Sequence, residues 1–226
     1  MKPIEIKTLA LSAKSNKIEL YQLTQGPRPL LLLGGVHGDE PEGFFLVEKF
    51  MNTPELWSGL NGLASLYVVP RVNPDGCLVH ERTNSNGVDL NRNMPTKDWN
   101  PKAAKPRYNP GPAPASEIES KMLMALIENL KPELIISAHS WEPMINYNGP
   151  CKLVAELMSK HSGLRISDDI GYPTPGSLGT WSGWEKNIPT ITLEIEKDSS
   201  EEAIWKTHGP ALKETLAYAA RGEKLG

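Results

Sequence analysis

The chain has 226 residues, of which 39% are hydrophobic and 23% are charged. This size and composition suit one globular domain with a sizeable core and exclude a largely disordered chain. The formal net charge is −3, and the absence of a basic excess argues against a nucleic-acid partner. The two cysteines are too few for a disulfide framework or a cysteine-rich zinc site.

Short apolar runs that end in polar, glycine-containing turns predict buried strands. In chain order these runs are Leu30–Leu33, Ala64–Val69, Leu134–Ala138 and Ile188–Leu193. Helical patterns lie between and after them, over Glu42–Met51, Ser116–Leu130, Leu153–His161 and Glu201–Ala220. Strands that alternate with helices predict a layered α/β fold around a largely buried sheet.

Two further features of the pattern bear on local structure. Ser116 and Glu119 have the spacing of a capping box, which predicts a helix that starts at Ser116, and Pro132 stops that helix. The segment 75–114 shows little periodicity, so it is either disordered or functional.

No targeting segment is visible in the first twenty residues, which contain lysines but no apolar stretch followed by a small-residue cleavage site. The run Leu30–Leu33 is far shorter than a membrane span. We therefore expect a cytoplasmic protein, as a monomer or a homodimer, with no membrane partner and no nucleic-acid partner.

Polar residues that follow the predicted strands suggest a metal site. His37 and Glu40 come after the first strand and His139 comes at the end of the third. Two imidazoles and one carboxylate form a known catalytic zinc set, which leaves a position open for water and lowers the pKa of that water toward ~7. Taken singly, each motif is weak: His37 and Glu40 also suit a solvated turn, and His139 also suits a satisfied core histidine.

Two other positions invite a functional interpretation. Asn91 and Arg92 combine an amide donor with a planar guanidinium, which suits a carboxylate ligand, although an Asx turn with a surface arginine is the favoured interpretation in isolation. Glu194 lies in an apolar strand pattern, where an unpaired charge is costly unless a cation lies nearby. The alternative for Glu194 is an edge strand with one solvated face.

Five motifs in order resemble the zinc carboxypeptidase (M14) family over roughly residues 30–196. They are His37-x-x-Glu40, Asn73-Pro74-Asp75-Gly76, the segment 87–93, Ser137-x-His139 and Leu193-Glu194. The resemblance implies one catalytic domain over residues 1–226, with a mixed, mostly parallel sheet flanked by helices on both faces. It also implies one Zn²⁺ per chain, held by His37, Glu40 and His139.

The same resemblance implies roles for other residues. Glu194 matches the general base, and Arg82 lies where the family places the arginine that stabilises the carbonyl oxyanion. Asn91 and Arg92 match the pair that binds the terminal carboxylate of the substrate. Tyr172 is the nearest candidate for the mobile tyrosine of digestive family members, and we expect Tyr172, Gly179 and Trp181 to contact substrate.

Within the family, the segments 73–77, 82–93 and 171–181 look most like the branch that cleaves the γ-D-glutamyl–meso-diaminopimelate amide of small murein peptides in peptidoglycan recycling. Three alternatives stay open: a deacylase of the succinylglutamate desuccinylase or aspartoacylase type, an ordinary C-terminal carboxypeptidase, and a metal-free module that binds cell-wall peptides. The basic cluster of Lys97, Lys102, Lys105 and Arg107 favours a solvated loop, with a rim for an anionic peptide as the alternative.

Overall fold

The computed structural model describes residues 2–226, which contain an eight-stranded sheet in the order β1-β2-β4-β3-β5-β8-β6-β7. The strands are β1 (Glu5–Leu11), β2 (Lys17–Gln22), β3 (Arg28–Leu33), β4 (Ala64–Val69), β5 (Leu134–Trp141), β6 (Met144–Asn148), β7 (Ile166–Ser167) and β8 (Thr190–Glu196). The helices are α1 (Pro41–Met51), α2 (Pro74–Val79), α3 (Ile118–Leu130), α4 (Lys152–Ser162) and α5 (Glu201–Ala220), and Gly179–Glu185 forms a π-helical turn.

The four predicted strands form the centre of the sheet, where β4, β3, β5 and β8 run parallel to one another. Both faces of this centre are covered, so side chains that alternate along a strand enter different cores. Leu30 and Leu32 of β3 pack with α1, α4 and α5 on one face. Leu31 and Leu33 pack with α3 on the other. The expected mixed, mostly parallel sheet between helices is confirmed.

The sheet is extended by antiparallel pairing at both sides. The strand pair β1–β2 joins β4 at one side through β2, and β6 pairs with β8 at the other, followed by β7. The side chains of β1 are mostly exposed, so this strand lacks the continuous apolar run that marks the central strands.

The predicted capping box at Ser116 is wrong. Helix α3 begins at Ile118, and Glu117 precedes it without a side-chain cap. The side chains are engaged elsewhere: Ser116 Oγ donates to Glu117 Oε1 over 2.6 Å, and Glu119 accepts from Asn84 Nδ2 over 3.2 Å. A bond between neighbouring residues and a tertiary contact to Asn84 thus take the place of the predicted cap.

A buried carboxylate fastens that loop to the edge of the sheet. Asp75, near the start of α2, accepts hydrogen bonds from Ser12 Oγ at 2.5 Å and Asn16 Nδ2 at 2.7 Å, both in the β1–β2 turn. It also accepts from Ser85 Oγ at 2.7 Å and from the backbone of Lys14 at 3.2 Å. Asp75 thus joins the β1–β2 turn to the segment around residue 85.

The topology brings the carboxyl ends of β3, β5 and β8 to one edge, which is where ligands bind in open α/β sheets. The segment 75–114 folds over this edge and contains α2 and two single 3₁₀ turns, Leu90–Arg92 and Pro106–Tyr108. None of the helices in residues 2–226 combines the length and the apolar character that a bilayer crossing requires.

Candidate active site

Three buried side chains converge beyond the ends of β3 and β5. His37 Nδ1 lies 2.9 Å from Glu40 Oε1, and His139 Nδ1 lies 2.9 Å from Glu40 Oε2. The two Nδ1 atoms are 3.2 Å apart. All three ligand atoms lie within 4.8 Å of one another, so they can share one metal ion.

The other nitrogen of each imidazole has its own partner. His37 Nε2 lies 3.0 Å from Asp89 Oδ1, and His139 Nε2 lies 3.0 Å from Ser137 Oγ. Such outer contacts orient a ligand ring and fix which nitrogen stays free for a metal. Two imidazole nitrogens and a carboxylate, all held this way, fit a mononuclear zinc ion.

Asp89 and Arg82 connect the ligands into one buried network. Arg82 donates from Nε to Asp89 Oδ2 over 2.8 Å and from Nη1 to Glu40 Oε1 over 2.9 Å. Burial alone would raise the pKa of Asp89, but the charge and hydrogen bond of His37 and the charge of Arg82 lower it. The network therefore keeps an ionised carboxylate behind His37 and a fixed guanidinium beside Glu40.

Glu194 lies opposite His139 in the β5–β8 register. Glu194 is buried, with 5% of its surface exposed. Its Oε2 atom has no hydrogen-bond partner among residues 2–226. Burial raises the pKa of Glu194 to about 7, against the opposing charge of His139. A carboxyl group with such a pKa can accept and return a proton near neutral pH.

A cleft of about 210 Å³ opens over these residues, and Asn91, Arg92, Tyr108 and Tyr172 also line it. Asn91 Oδ1 accepts from the backbone N–H of Leu178 over 2.8 Å, which orients its amide. The guanidinium carbons of Arg82 and Arg92 each lie 5.2 Å from the centre of the Tyr108 ring. Sequence reasoning identified both arginines but not this aromatic contact between them.

A second cavity of about 220 Å³ adjoins the cleft, which we call the side pocket. Its lining includes Asn91, Asn146, Asn148, Asp168, Tyr172, Gly179 and Thr192. Strand alternation explains its polarity: Thr192 and Glu194 lie on one face of β8, and Asn146 pairs with Thr192 across the β6–β8 ladder. The residues that line the pocket include two aspartates but no lysine or arginine.

Of the three residues expected to contact substrate, Tyr172 and Gly179 line a cavity of the site and Trp181 does not. Tyr172 lines both the cleft and the side pocket and contacts Trp141 edge-on at 5.2 Å between ring centres. Gly179 also lines the side pocket, where a Cβ would overlap the amide oxygen of Asn148. Trp181 is not brought to the cleft: its side chain is 3% exposed and packs in the core beside α3.

Some residues of the site have no role in the sequence-based hypothesis. Asp89 lies inside the motif that suggested Asn91 and Arg92, and its position two residues before Asn91 is the only sequence signal for it. Asn146 and Asn148 alternate with Ile145 and Tyr147. This period of two indicates pocket residues only when it is known that β6 pairs with β8.

Comparison with known proteins agrees with this geometry. The sequence profile of the zinc carboxypeptidase family matches residues 4–152. Murein peptide amidase A of Escherichia coli K12 is 34% identical over 188 residues, which cover 78% of this chain and 74% of that protein. The corresponding protein of Vibrio campbellii is 32% identical over 196 residues, which cover 78% of this chain and 73% of its own.

Solved structures show the same fold. The crystal structure of murein-tripeptide amidase from Escherichia coli O157 superposes with a TM-score of 0.79 at 29% identity, covering 98% of this chain and 93% of that one. Bovine thrombin-activatable fibrinolysis inhibitor gives a TM-score of 0.82 at 19% identity over 98% and 92% of the two chains, a likeness of fold alone. With the His-Glu-His triad and the family profile in agreement, the chain belongs to the zinc carboxypeptidase (M14) family and is a zinc metallopeptidase of that family.

Proposed function

We propose that this zinc metallopeptidase hydrolyses the γ-D-glutamyl–meso-diaminopimelate amide of small murein peptides, in the cytoplasm and in the service of peptidoglycan recycling. The observation that carries the proposal is the polar side pocket beside Asn91, which contains two aspartates and no cationic residue. In a side chain that ends in an ammonium and a carboxylate, the ammonium suits the two aspartates. The carboxylate can accept from the amide and hydroxyl groups of Asn146, Asn148 and Thr192. A large apolar side chain would leave the amide and hydroxyl groups of the side pocket without hydrogen-bond partners.

The murein peptide is also supported by the relatives. Two proteins named murein peptide amidase A are 34% and 32% identical to this chain. The aligned regions cover 78% of this chain in both cases, and about two thirds of the aligned residues differ, so the substrate rests on the pocket chemistry as well.

In this proposal His37, Glu40 and His139 hold the zinc ion. When bound, zinc supplies Lewis-acid polarisation of the scissile carbonyl and activates a water molecule. Arg92 and the amide of Asn91 bind the terminal carboxylate of the peptide. Arg82, fixed by Asp89 and Glu40, faces negative charge that develops on the carbonyl oxygen. Glu194 takes a proton from water and delivers it to the leaving amine.

The test is mass spectrometry of the products formed from L-Ala-γ-D-Glu-meso-diaminopimelate, with and without a chelator. We expect L-Ala-D-Glu and free diaminopimelate, and no products after zinc removal. The panel includes peptides that end in Phe or Leu, N-succinylglutamate and N-acetylaspartate. Cleavage of one of these without cleavage of the murein peptide would replace the proposal by the corresponding carboxypeptidase or deacylase.

The role of Glu194 is tested separately with Glu194→Gln. The amide cannot accept the proton, so we expect kcat to fall by about 10²–10⁴-fold while the protein still binds zinc. Metal content by atomic absorption distinguishes a lost base from a lost metal. Turnover close to that of the unaltered protein would contradict the assignment.

A further inference from the structure

A third cavity, of about 710 Å³, lies beside the cleft and is the basis of this inference. We call it the basic groove. It is lined by Arg92, Asn100, Lys102, Ala103, Ala104, Lys105, Tyr108, Pro110, Trp141, Tyr172, Pro173 and Pro175. Arg92, Tyr108, Trp141 and Tyr172 also line the cleft, so a bound peptide can pass from one to the other.

The charge of the basic groove is opposite to that of the side pocket. Its lining includes one arginine and two lysines and no aspartate or glutamate. Lys102 and Lys105 form no ion pair within residues 2–226, whereas the neighbouring Arg107 is paired with Asp39 at 2.9 Å. Two unpaired ammonium groups at the border of a cavity attract an anionic ligand.

The residues that the cavities share indicate which part of a substrate enters the basic groove. Tyr172 and Pro173 line both the side pocket and the basic groove and therefore separate them. In the proposed function the side pocket takes the side chain of the terminal residue, and Arg92 takes the terminal carboxylate. The basic groove is then left for the acyl part, which precedes the scissile amide.

The acyl part of a γ-linked glutamyl peptide carries a second carboxylate. Because the amide is formed through the side chain, the α-carboxylate of the glutamyl residue stays free. Its methylene groups and a preceding alanine suit the apolar lining of Ala103, Ala104 and Pro110. We propose that Lys102 and Lys105 bind this free carboxylate, and that the protein thereby selects γ-glutamyl peptides over their α-carboxamide forms.

This inference rests on the proposed function for the identity of the substrate, and its test separates the two. The paired substrates are L-Ala-γ-D-Glu-meso-diaminopimelate and the same peptide with the glutamyl α-carboxylate converted to a carboxamide. The substitution removes one charge and changes no other group. We expect kcat/KM of the zinc-loaded protein to be about tenfold lower for the carboxamide, since a charge-assisted contact is lost at a partly solvated site.

The variant Lys102→Gln/Lys105→Gln locates the effect. We expect it to cleave both peptides with kcat/KM values within about twofold of each other, because neutral amides no longer favour the anion. Lys97→Gln is the control: it removes one positive charge from the same loop, but Lys97 does not line the basic groove and its backbone N–H bonds Glu185. This control should keep the tenfold preference.

Affinity provides the second readout. Isothermal titration of zinc-loaded Glu194→Gln with each peptide reports Kd without turnover. A tenfold weaker Kd for the carboxamide supports the inference even if neither peptide is cleaved, a result that would overturn only the proposed function. Equal kcat/KM and equal Kd for the two peptides, no binding of either, or an unchanged preference in the double lysine variant would each overturn the inference.

Discussion

Asp89 shows how one buried carboxylate can serve two functional side chains. Its Oδ1 faces His37 Nε2 and its Oδ2 accepts from Arg82 Nε. In Asp89→Asn, the amide nitrogen replaces one acceptor and faces a donor. We expect the zinc affinity to fall about 10–100-fold, as is usual when the outer partner of a ligating histidine is lost. Competition with a chromophoric chelator measures this change.

The matched control is Asp169→Asn, which removes a carboxylate charge from an exposed residue at the rim of the side pocket. Zinc affinity should be unaffected there. Equal zinc affinity for Asp89→Asn and the unaltered protein would show that the contact to His37 does not orient the ligand.

His208 provides a pH-dependent contribution to stability. This residue of α5 is 5% exposed, and burial lowers its pKa from 6.5 to about 4. The unfolded chain therefore binds a proton more readily than the folded protein between these values. Its contribution is complete above pH 6.5 and is lost as the pH falls toward 4, so His208 alone should cost about 2 kcal/mol between pH 7 and pH 5.

Urea unfolding of the unaltered protein and of His208→Leu at pH 7 and pH 5 measures that contribution. The loss of stability on acidification should be smaller in the variant by about the same 2 kcal/mol. The comparison is His161→Leu, which removes an imidazole that is exposed and therefore not part of the core. An identical pH dependence in His208→Leu would refute the assignment.

At the scale of elements, α1 and β5 must lie very close for the triad to assemble. Glu40 directly precedes α1 and His139 belongs to β5. A Cβ on Gly43 of α1 would lie 2.5 Å from the Ala138 carbonyl oxygen and 3.2 Å from the Cα atom of His139. Glycine at this position therefore sets the distance between the two elements that carry metal ligands.

Gly43→Ala should displace α1 from β5. Although alanine usually favours a helix, we expect the free energy of unfolding to fall by about 1–3 kcal/mol from overpacking, together with weaker zinc binding. Chemical denaturation and chelator competition measure both effects. Gly59→Ala is the control, because a Cβ on Gly59 would meet no atom within 4 Å. A stability gain in Gly43→Ala would contradict the close packing.

Elements differ in how well the sequence predicts them, and burial is the reason. The central strands are apolar on both faces and give continuous runs such as Leu30–Leu33. Strand β2 instead alternates, with Ile18 and Leu20 buried between polar neighbours, a signal that a search for apolar runs passes over. Strand β7 has two residues, too few for any period.

The site follows the same logic. His37, Glu40 and His139 belong to recognisable motifs, so their convergence could be predicted. The side pocket could not, because Asn146 and Asn148 become neighbours of Thr192 only through a nonlocal β6–β8 pairing. Which basic residues of the 97–107 cluster border a cavity likewise depends on loop coordinates that no periodicity encodes.

For the whole molecule, the metal site is assembled by the sheet and its loops. The ligands come from two segments about a hundred residues apart, and the contacts of His139 with His37 and Glu40 connect them. Asp89 and Arg82 hold the first segment from behind. We therefore expect the zinc-free protein to stay folded and zinc to stabilise it further. At a free zinc concentration of a thousand times Kd the gain is about 4 kcal/mol.

Thermal unfolding followed by circular dichroism, with zinc or with excess chelator, measures this gain. At about 20 °C, where the folded state dominates, the far-ultraviolet spectra of the zinc-loaded and the chelated protein should coincide. The Tm should be higher with zinc. In His139→Ala the rise in Tm should be much smaller. A chelated protein without ordered secondary structure would show instead that the metal drives folding.

Through the hydrogen bonds of Asp75, the N-terminal β1–β2 hairpin supports residues near the active site, although it lies at the side of the sheet. A minimal enzyme trimmed to begin at β3 would retain the triad, Glu194 and both arginines. It would also strip Asp75 of the donors from Ser12, Lys14 and Asn16, and the stretch that presents Arg82 and Asp89 would lose the hydrogen bonds that hold it in place. One carboxylate thus limits how far this scaffold can be miniaturised.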